Sequence, residues 1–338
     1  MSKMLLPLLI SALFQTNLCL AAPLTAFDEA ARLGGAAADA VAAPAPAPSR
    51  AGSDLTAGYL RLLSSPGQGL GEKETAELRG CRVLLVRGFM TGGYVEPISI
   101  FGRKVWIGRY FHDQMKALKE LGVDYAMADV DSVMLPAHNA AKIAAEIRKS
   151  DKPVILITHS DGGMYALQAL VENPDLASGV RGFISLQTPF GGSPVADYVK
   201  GHRLLSAAMS GLLGHFGGTI DALDSLTPDK RSAFQAANRE AINSVVAGVR
   251  IISFASWKAD RHGKPDTLLE LPRNLMLTRG MENDGLVPAE SAILPGSDYV
   301  KVEGADHIVT VMAEDTLVKF DRRAFTRALL SLIITGGK

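Results

Sequence analysis

Between Val154 and Leu167 the chain reads VILITHSDGGMYAL, and no other stretch restricts the fold as much. Pro153 to Thr158 is a continuous apolar run, suited to a strand buried on both faces. His159-Ser160-Asp161-Gly162-Gly163 follows at once, and Met164 to Val171 then has the apolar spacing of a helix. A serine on such a strand-to-helix turn projects its hydroxyl from the carboxyl end of a sheet, where small neighbours relieve crowding. The helix N-terminus behind it favours negative charge developing at a reacting centre. A plainer account makes Ser160 only the cap of that helix, a position serine favours. The strand–turn–helix context favours a catalytic nucleophile, with Gly162 two places after the serine. Thr158 stands two places before it, where a strict G-x-S-x-G pattern has glycine.

The segments around this turn alternate between strand and helix patterns. Arg82 to Phe89, Val123 to Val130, Val180 to Leu186, Val249 to Ala255 and the short apolar run Asn274 to Leu277 read as strands. Phe111 to Leu121 and Asn139 to Ile147 read as helices, and the amphipathic stretch Thr316 to Ile334 is expected to cover the sheet. Alternation of this kind predicts an α/β domain with a mostly parallel central sheet flanked by helices.

Of the 338 residues, 47% are hydrophobic and 21% charged, enough apolar material for a sizeable core. Thirty-five basic residues balance thirty-five acidic ones, which argues against a nucleic-acid partner. Lys3, the apolar run Met4 to Phe14 and the small residues Ala21 and Ala22 resemble an export signal over residues 1–21. A membrane anchor is the alternative, but Gln15-Thr16-Asn17 interrupts the run short of the about 20 apolar residues that span a bilayer. Leu18 is too large for the position before a lipid-modified Cys19. Residues 22–54 are Ala- and Pro-rich, the composition of a spacer, so residues 55–338 are expected to form one domain of an exported protein, secreted or periplasmic. Removing the signal leaves Cys81 as the one thiol, and its place at the start of an apolar strand suggests a buried structural role.

A nucleophilic serine needs a histidine base and a carboxylate that fixes the imidazole tautomer. Of the histidines after Ser160, His307 follows a strand end in Val302-Glu303-Gly304-Ala305-Asp306, where a base can reach over the sheet edge. His202 and His215 lie in a Gly- and Leu-rich stretch and His262 in a charged loop; His159 supports the turn. Asp284, in Asn283-Asp284-Gly285-Leu286-Val287-Pro288, is the preferred acid, although Asp-Gly is also an ordinary turn signal. Its rival Asp306 adjoins His307, and sequence neighbours in an extended segment point to opposite sides. Two backbone N–H donors must hold the oxyanion. The candidates are Asp161 and, in the Gly-rich loop Arg87 to Gly93, Phe89; a simple Gly-rich turn is the bland account of that loop.

Taken in order, LLVRGFMTG, ITHSDGGMYAL, VRGFISLQTPFGGSPVADYV, ALDSLTPDKRSAFQAAN, NDGLVP and the His307 loop resemble the secreted bacterial triacylglycerol lipases, of the α/β-hydrolase fold. The resemblance implies a Ser160–Asp284–His307 triad, oxyanion donors at Phe89 and Asp161, and a mobile lid over residues 198–226, a stretch that could equally be an ordinary core helix. It departs at Arg87 and Phe190, where the family has histidine, and at Asp161, where a carboxylate beside the nucleophile raises the serine's and imidazolium's effective pKa unless its side chain turns away. The family's calcium ligand two places after the catalytic histidine is replaced by Val309, which argues against calcium, and no cofactor is expected. The expected activity is hydrolysis of lipid esters through an acyl-enzyme, with transient contact with lipid surfaces. An esterase for soluble short-chain esters or polyesters would use the same triad. A non-catalytic binding protein on this scaffold is the alternative of another class.

Overall fold

The computed structural model describes residues 51–65, 70–89, 98–100, 103–105, 109–131, 133–215, 218–260, 267, 269–313 and 319–336. The export signal, nearly all of the Ala/Pro-rich spacer, Gly92-Gly93 and His262 lie outside these residues.

Apolar strands pair in parallel because the connections between them are long enough to hold helices. β1 (Arg82–Val86) is followed by a short antiparallel pair, β2 (Ile98–Ile100) and β3 (Arg103–Val105). Then come β4 (Asp124–Met127), β5 (Val154–His159), β6 (Val180–Leu186), β7 (Ile251–Trp257) and β8 (Asp298–Glu303). Six of these form one parallel sheet in the order β4-β1-β5-β6-β7-β8. Strand β5, which leads into Ser160, is central and buried throughout.

Successive side chains leave a strand on opposite faces, so the sheet separates two cores. Leu84, Val86, Val154, Leu156 and Phe183 pack on one side under α4 (Pro136–Arg148), α5 (Gly162–Glu172) and α10 (Arg239–Gly248). Val83, Leu85, Ile155, Ile157 and Phe254 pack on the other. There α1 (Thr56–Ser64), α2 (Glu72–Arg79), α3 (His112–Leu121) and the last helix, α12 (Arg322–Thr335), cover them. Tyr59, Phe254 and Phe325 meet edge-on with centroids 4.9 to 6.3 Å apart. Such pairs contribute about 0.5–1.5 kcal/mol beyond the area they bury. Cys81 is buried beside this core, and burial pushes its thiol pKa up.

Two elements differ from expectation. Asn274 to Leu277 is not a strand: it is the last turn of α11 (Glu270–Leu277), which buries Pro272, Arg273 and Met276 on one stripe. Four residues are too few to tell a period of 2 from one of 3.6. α12 starts at Arg322, later than the amphipathic pattern begins, because Asp321 caps it by accepting from the Arg323 and Ala324 N–H groups at 3.1 and 3.0 Å. Among the described residues no helix is long and apolar enough to cross a membrane.

Between β6 and β7, α6 (Pro194–Gly201), α7 (Arg203–His215), α8 (Ile220–Asp224) and α9 (Pro228–Ala237) precede α10. α7 turns Leu205, Met209 and Leu213, spaced by four, into a separate small apolar cluster with Val133, Val199 and Phe89. Leu204 remains 78% exposed.

Candidate active site

At the carboxyl end of β5, Ser160 takes φ 56°, a left-handed conformation that costs a non-glycine residue of order 1–3 kcal/mol. Its N–H donates to the Leu186 carbonyl at 2.9 Å, which holds the turn against β6. The loop after β1 presses against the other side. A Cβ on Gly162 would stand 2.6 Å from the Val86 carbonyl oxygen, and one on Gly88 would stand 2.6 Å from Ser160 Cβ. Glycine is required at both places by backbone approach. Thr158 pairs with Val86 and Ser185 within the sheet and is fully buried there.

Loops after β7 and β8 bring two further side chains to this turn. His307 Nε2 lies 3.0 Å from Ser160 Oγ, and Nδ1 lies 2.8 Å from Asp284 Oδ2. A carboxylate facing Nδ1 keeps the ring proton there and leaves Nε2 to accept from the serine. Asp284 Oδ1 accepts from the Leu286 and Val287 N–H groups at 3.0 and 2.7 Å, so the carboxylate is gripped at both oxygens. His307 N–H donates to the Asp284 carbonyl at 2.8 Å, and Lys258 N–H to the Asn283 carbonyl at 3.0 Å, tying the acid loop to the end of β7. Both side chains are buried.

Asp306 faces elsewhere. Its Oδ1 accepts from the Ile308 and Val309 N–H groups and its Oδ2 from the Thr267 hydroxyl. The His202 ring lies tilted at 43° against Tyr198, with Nδ1 2.8 Å from the Tyr198 carbonyl. The His215 side chain and the whole of His262 fall outside what is described.

Phe89 sits at the mouth of the β1 loop and packs on the α7 cluster. Asp161 precedes α5 and its side chain turns inward, buried, with Oδ2 accepting from the Tyr165 hydroxyl at 2.6 Å. Burial pushes its pKa up to about 7, against the pull of the Tyr165 hydroxyl, the Phe89 N–H and His307. Tyr165 lies one helical turn after Asp161, a pairing that i,i+4 spacing could have revealed. Gln187 had no such signal. It takes φ 52°, donates to the Asp306 carbonyl at 2.9 Å and accepts from the Thr310 hydroxyl at 2.7 Å, bracing the His307 loop. Arg87 donates to the Val130 carbonyl, and Phe190 is fully buried. Among the described residues no group of three or more His, Cys, Asp or Glu is placed to hold a metal ion, and Val309 is buried.

The sequence model of the alpha/beta hydrolase family matches residues 101–320. The chain belongs to the alpha/beta hydrolase family. This hydrolase is similar in structure to a metagenomic carboxyl esterase, with a TM-score of 0.61 and 24% identity over 78% of this chain and 77% of that one. It is also similar to the mature form of a Bacillus licheniformis lipase, with a TM-score of 0.53 and 23% identity over 67% and 84% of the two chains. No curated protein matches the hydrolase.

Proposed function

We propose that this hydrolase cleaves carboxylic esters by a Ser160–His307–Asp284 triad, and that its substrates are lipids. The observation that carries the proposal is the continuous hydrogen-bonded path from Ser160 Oγ through the His307 ring to Asp284, set on a strained turn at the end of a buried strand. His307 Nε2 takes the proton as Ser160 Oγ attacks the acyl carbon. Asp284 then faces the imidazolium, and the Phe89 and Asp161 N–H groups hold the oxyanion. His307 returns the proton to the departing alcohol, and water clears the acyl-enzyme by the same route in reverse.

The secreted triacylglycerol lipases are the nearer comparison proposed, on the sequence motifs and on the apolar α7 cluster beside Phe89, which offers an acyl chain a greasy wall. In the same proposal residues 198–226 form a lid, residues 1–21 direct export and residues 22–54 act as a spacer. Turnover needs no metal.

A fluorophosphonate probe tests the core of this. It should label the wild-type protein at Ser160, whereas Ser160→Ala should be unlabelled and lose ester hydrolysis by a factor on the order of 10⁶ in kcat while keeping its melting temperature. Labelling of the Ser160→Ala protein refutes the assignment. Hydrolysis rates across an acyl-chain series then separate long-chain lipid esters from soluble short ones.

A further inference from the structure

His159 is fully enclosed beside the nucleophile, and both of its ring nitrogens are engaged. Nε2 lies 2.7 Å from the His307 carbonyl oxygen, and Nδ1 lies 2.5 Å from the Tyr110 hydroxyl. The same hydroxyl accepts from the Gly88 N–H at 3.2 Å. The two ends of this path fix its direction. A backbone N–H can only donate and a carbonyl can only accept. Protons therefore run one way, from Gly88 N–H to Tyr110 oxygen, from Tyr110 O–H to Nδ1, and from Nε2–H to the His307 carbonyl. One imidazole tautomer satisfies every group; the other sets the Tyr110 O–H against an N–H and a bare nitrogen against a carbonyl.

The ring also stays neutral. Burial foremost, and then the nearby His307 ring at 4.7 Å, hold the His159 imidazole well below its ordinary pKa. Tyr110 itself is mounted on the far side of the same loop: it bridges Met312, and the Phe111 N–H donates to the Val311 carbonyl at 2.9 Å. Phe111 is held at φ 56° and fully buried, so the place of Tyr110 is maintained against local strain.

We propose that Tyr110 and His159 are positioning residues: a directed hydrogen-bond strut that fixes the loop carrying His307 at a set distance from the Gly88–Phe89 loop. The proposal rests on the reading of His307 as base and of Phe89 N–H as an oxyanion donor, because these are the two groups it spaces. The strut's hydrogen bonds run between the Gly88 N–H and the His307 carbonyl, while the Ser160 hydroxyl faces the His307 ring. Its effect is on geometry in the transition state, where misplacement by about 1 Å can cost 10²-fold in rate.

Tyr110→Phe removes one oxygen and leaves the ring to fill its place. It should lower kcat by about 10- to 100-fold with KM little changed, since the loss falls on the transition state. Imidazole ¹⁵N resonances should show His159 as the Nε2–H tautomer in the wild type and a mixture in Tyr110→Phe, which stays folded at the assay temperature although the orphaned Gly88 N–H lowers its melting point. His159→Gln, whose amide offers one acceptor and one donor, should retain most of the turnover that His159→Leu loses. Wild-type kcat in Tyr110→Phe, equal kcat in the two His159 variants, or an Nδ1–H tautomer in the wild type overturns the strut. A wild-type protein that resists fluorophosphonate labelling counts instead against the serine-hydrolase reading, and the tautomer measurement then judges the strut alone.

Discussion

Tyr165 donates its hydroxyl proton to Asp161 Oδ2 at 2.6 Å, one turn along the helix that starts behind Ser160. In the proposed mechanism the pair places an acidic group beside the developing oxyanion. Burial raises the Asp161 pKa to about 7, so the group changes charge in the working range. The groups facing it are Tyr165 on its own helix and His307 across the site, with Asn139 from α4 reaching Tyr165. Below that value the carboxyl is neutral; above it a negative charge opposes the developing oxyanion. The rate constant kcat/KM should therefore fall as pH rises through about 7 in the wild type, and Asp161→Asn should remove that fall. Stability falls in the same direction. Folded Asp161 keeps a proton that the unfolded chain releases near 3.8, so the fold loses stability from about pH 4 to 7 and stays at the lower level above. Asp161→Asn should then melt higher than wild type at pH 8. A wild-type profile that is flat from pH 6 to 9 contradicts this.

Asp284→Asn should reduce kcat by roughly 10⁴, because an amide at that place stabilises the wrong tautomer of His307. Asp306→Asn should act on stability, through the Ile308 and Val309 N–H groups and the Thr267 hydroxyl, and much less on kcat. The comparison is a kcat measurement on two purified variants. If the Asp306 variant is the slower, the acid has been misassigned.

Much of this arrangement is legible in the chain itself, for identifiable reasons. The turn around Ser160 shows because strand, turn and helix are contiguous, and each has its own local pattern. Asp284 and His307 stand out because they follow Ser160 in the order acid then histidine, each in a loop after an apolar segment. The segment before Asp284 is helical where the sequence pattern predicts a strand, since Asn274 to Leu277 is too short for its period to declare itself. What stayed hidden is the bracing. Tyr110 meets His159 across 49 positions, and Gln187 meets Thr310 across 123. Such contacts depend on strand order, which no local window contains.

Chelation should leave activity and melting temperature nearly unchanged. Val309 is buried where the lipase resemblance would put a ligand, and Asp306 spends both carboxylate oxygens on neighbouring donors. A large loss of either quantity with EDTA, restored by calcium, would mean that other oxygens build a site.

The lid proposal exposes itself to the most direct test. α7 buries Leu205, Met209 and Leu213 against Phe89, Val133 and Val199, while Leu204 projects outward at 78% exposure. If α7 swings away to admit a lipid, the buried stripe meets water, and at about 25 cal/mol per Å² a few hundred Å² would cost several kcal/mol. That cost keeps the closed state dominant in solution. At a lipid surface the same stripe is covered again, and Leu204 is already placed to reach the surface first. Hydrolysis of a sparingly soluble ester should therefore accelerate sharply once substrate passes its solubility limit. Leu204→Asp leaves the packed side of α7 untouched, so it should blunt that break without slowing a soluble short-chain ester. Leu213→Asp, by contrast, would bury a charge and should lower the melting temperature. A smooth hyperbolic curve through the solubility limit, unchanged in Leu204→Asp, would make α7 ordinary packing and leave a soluble-ester substrate as the better account.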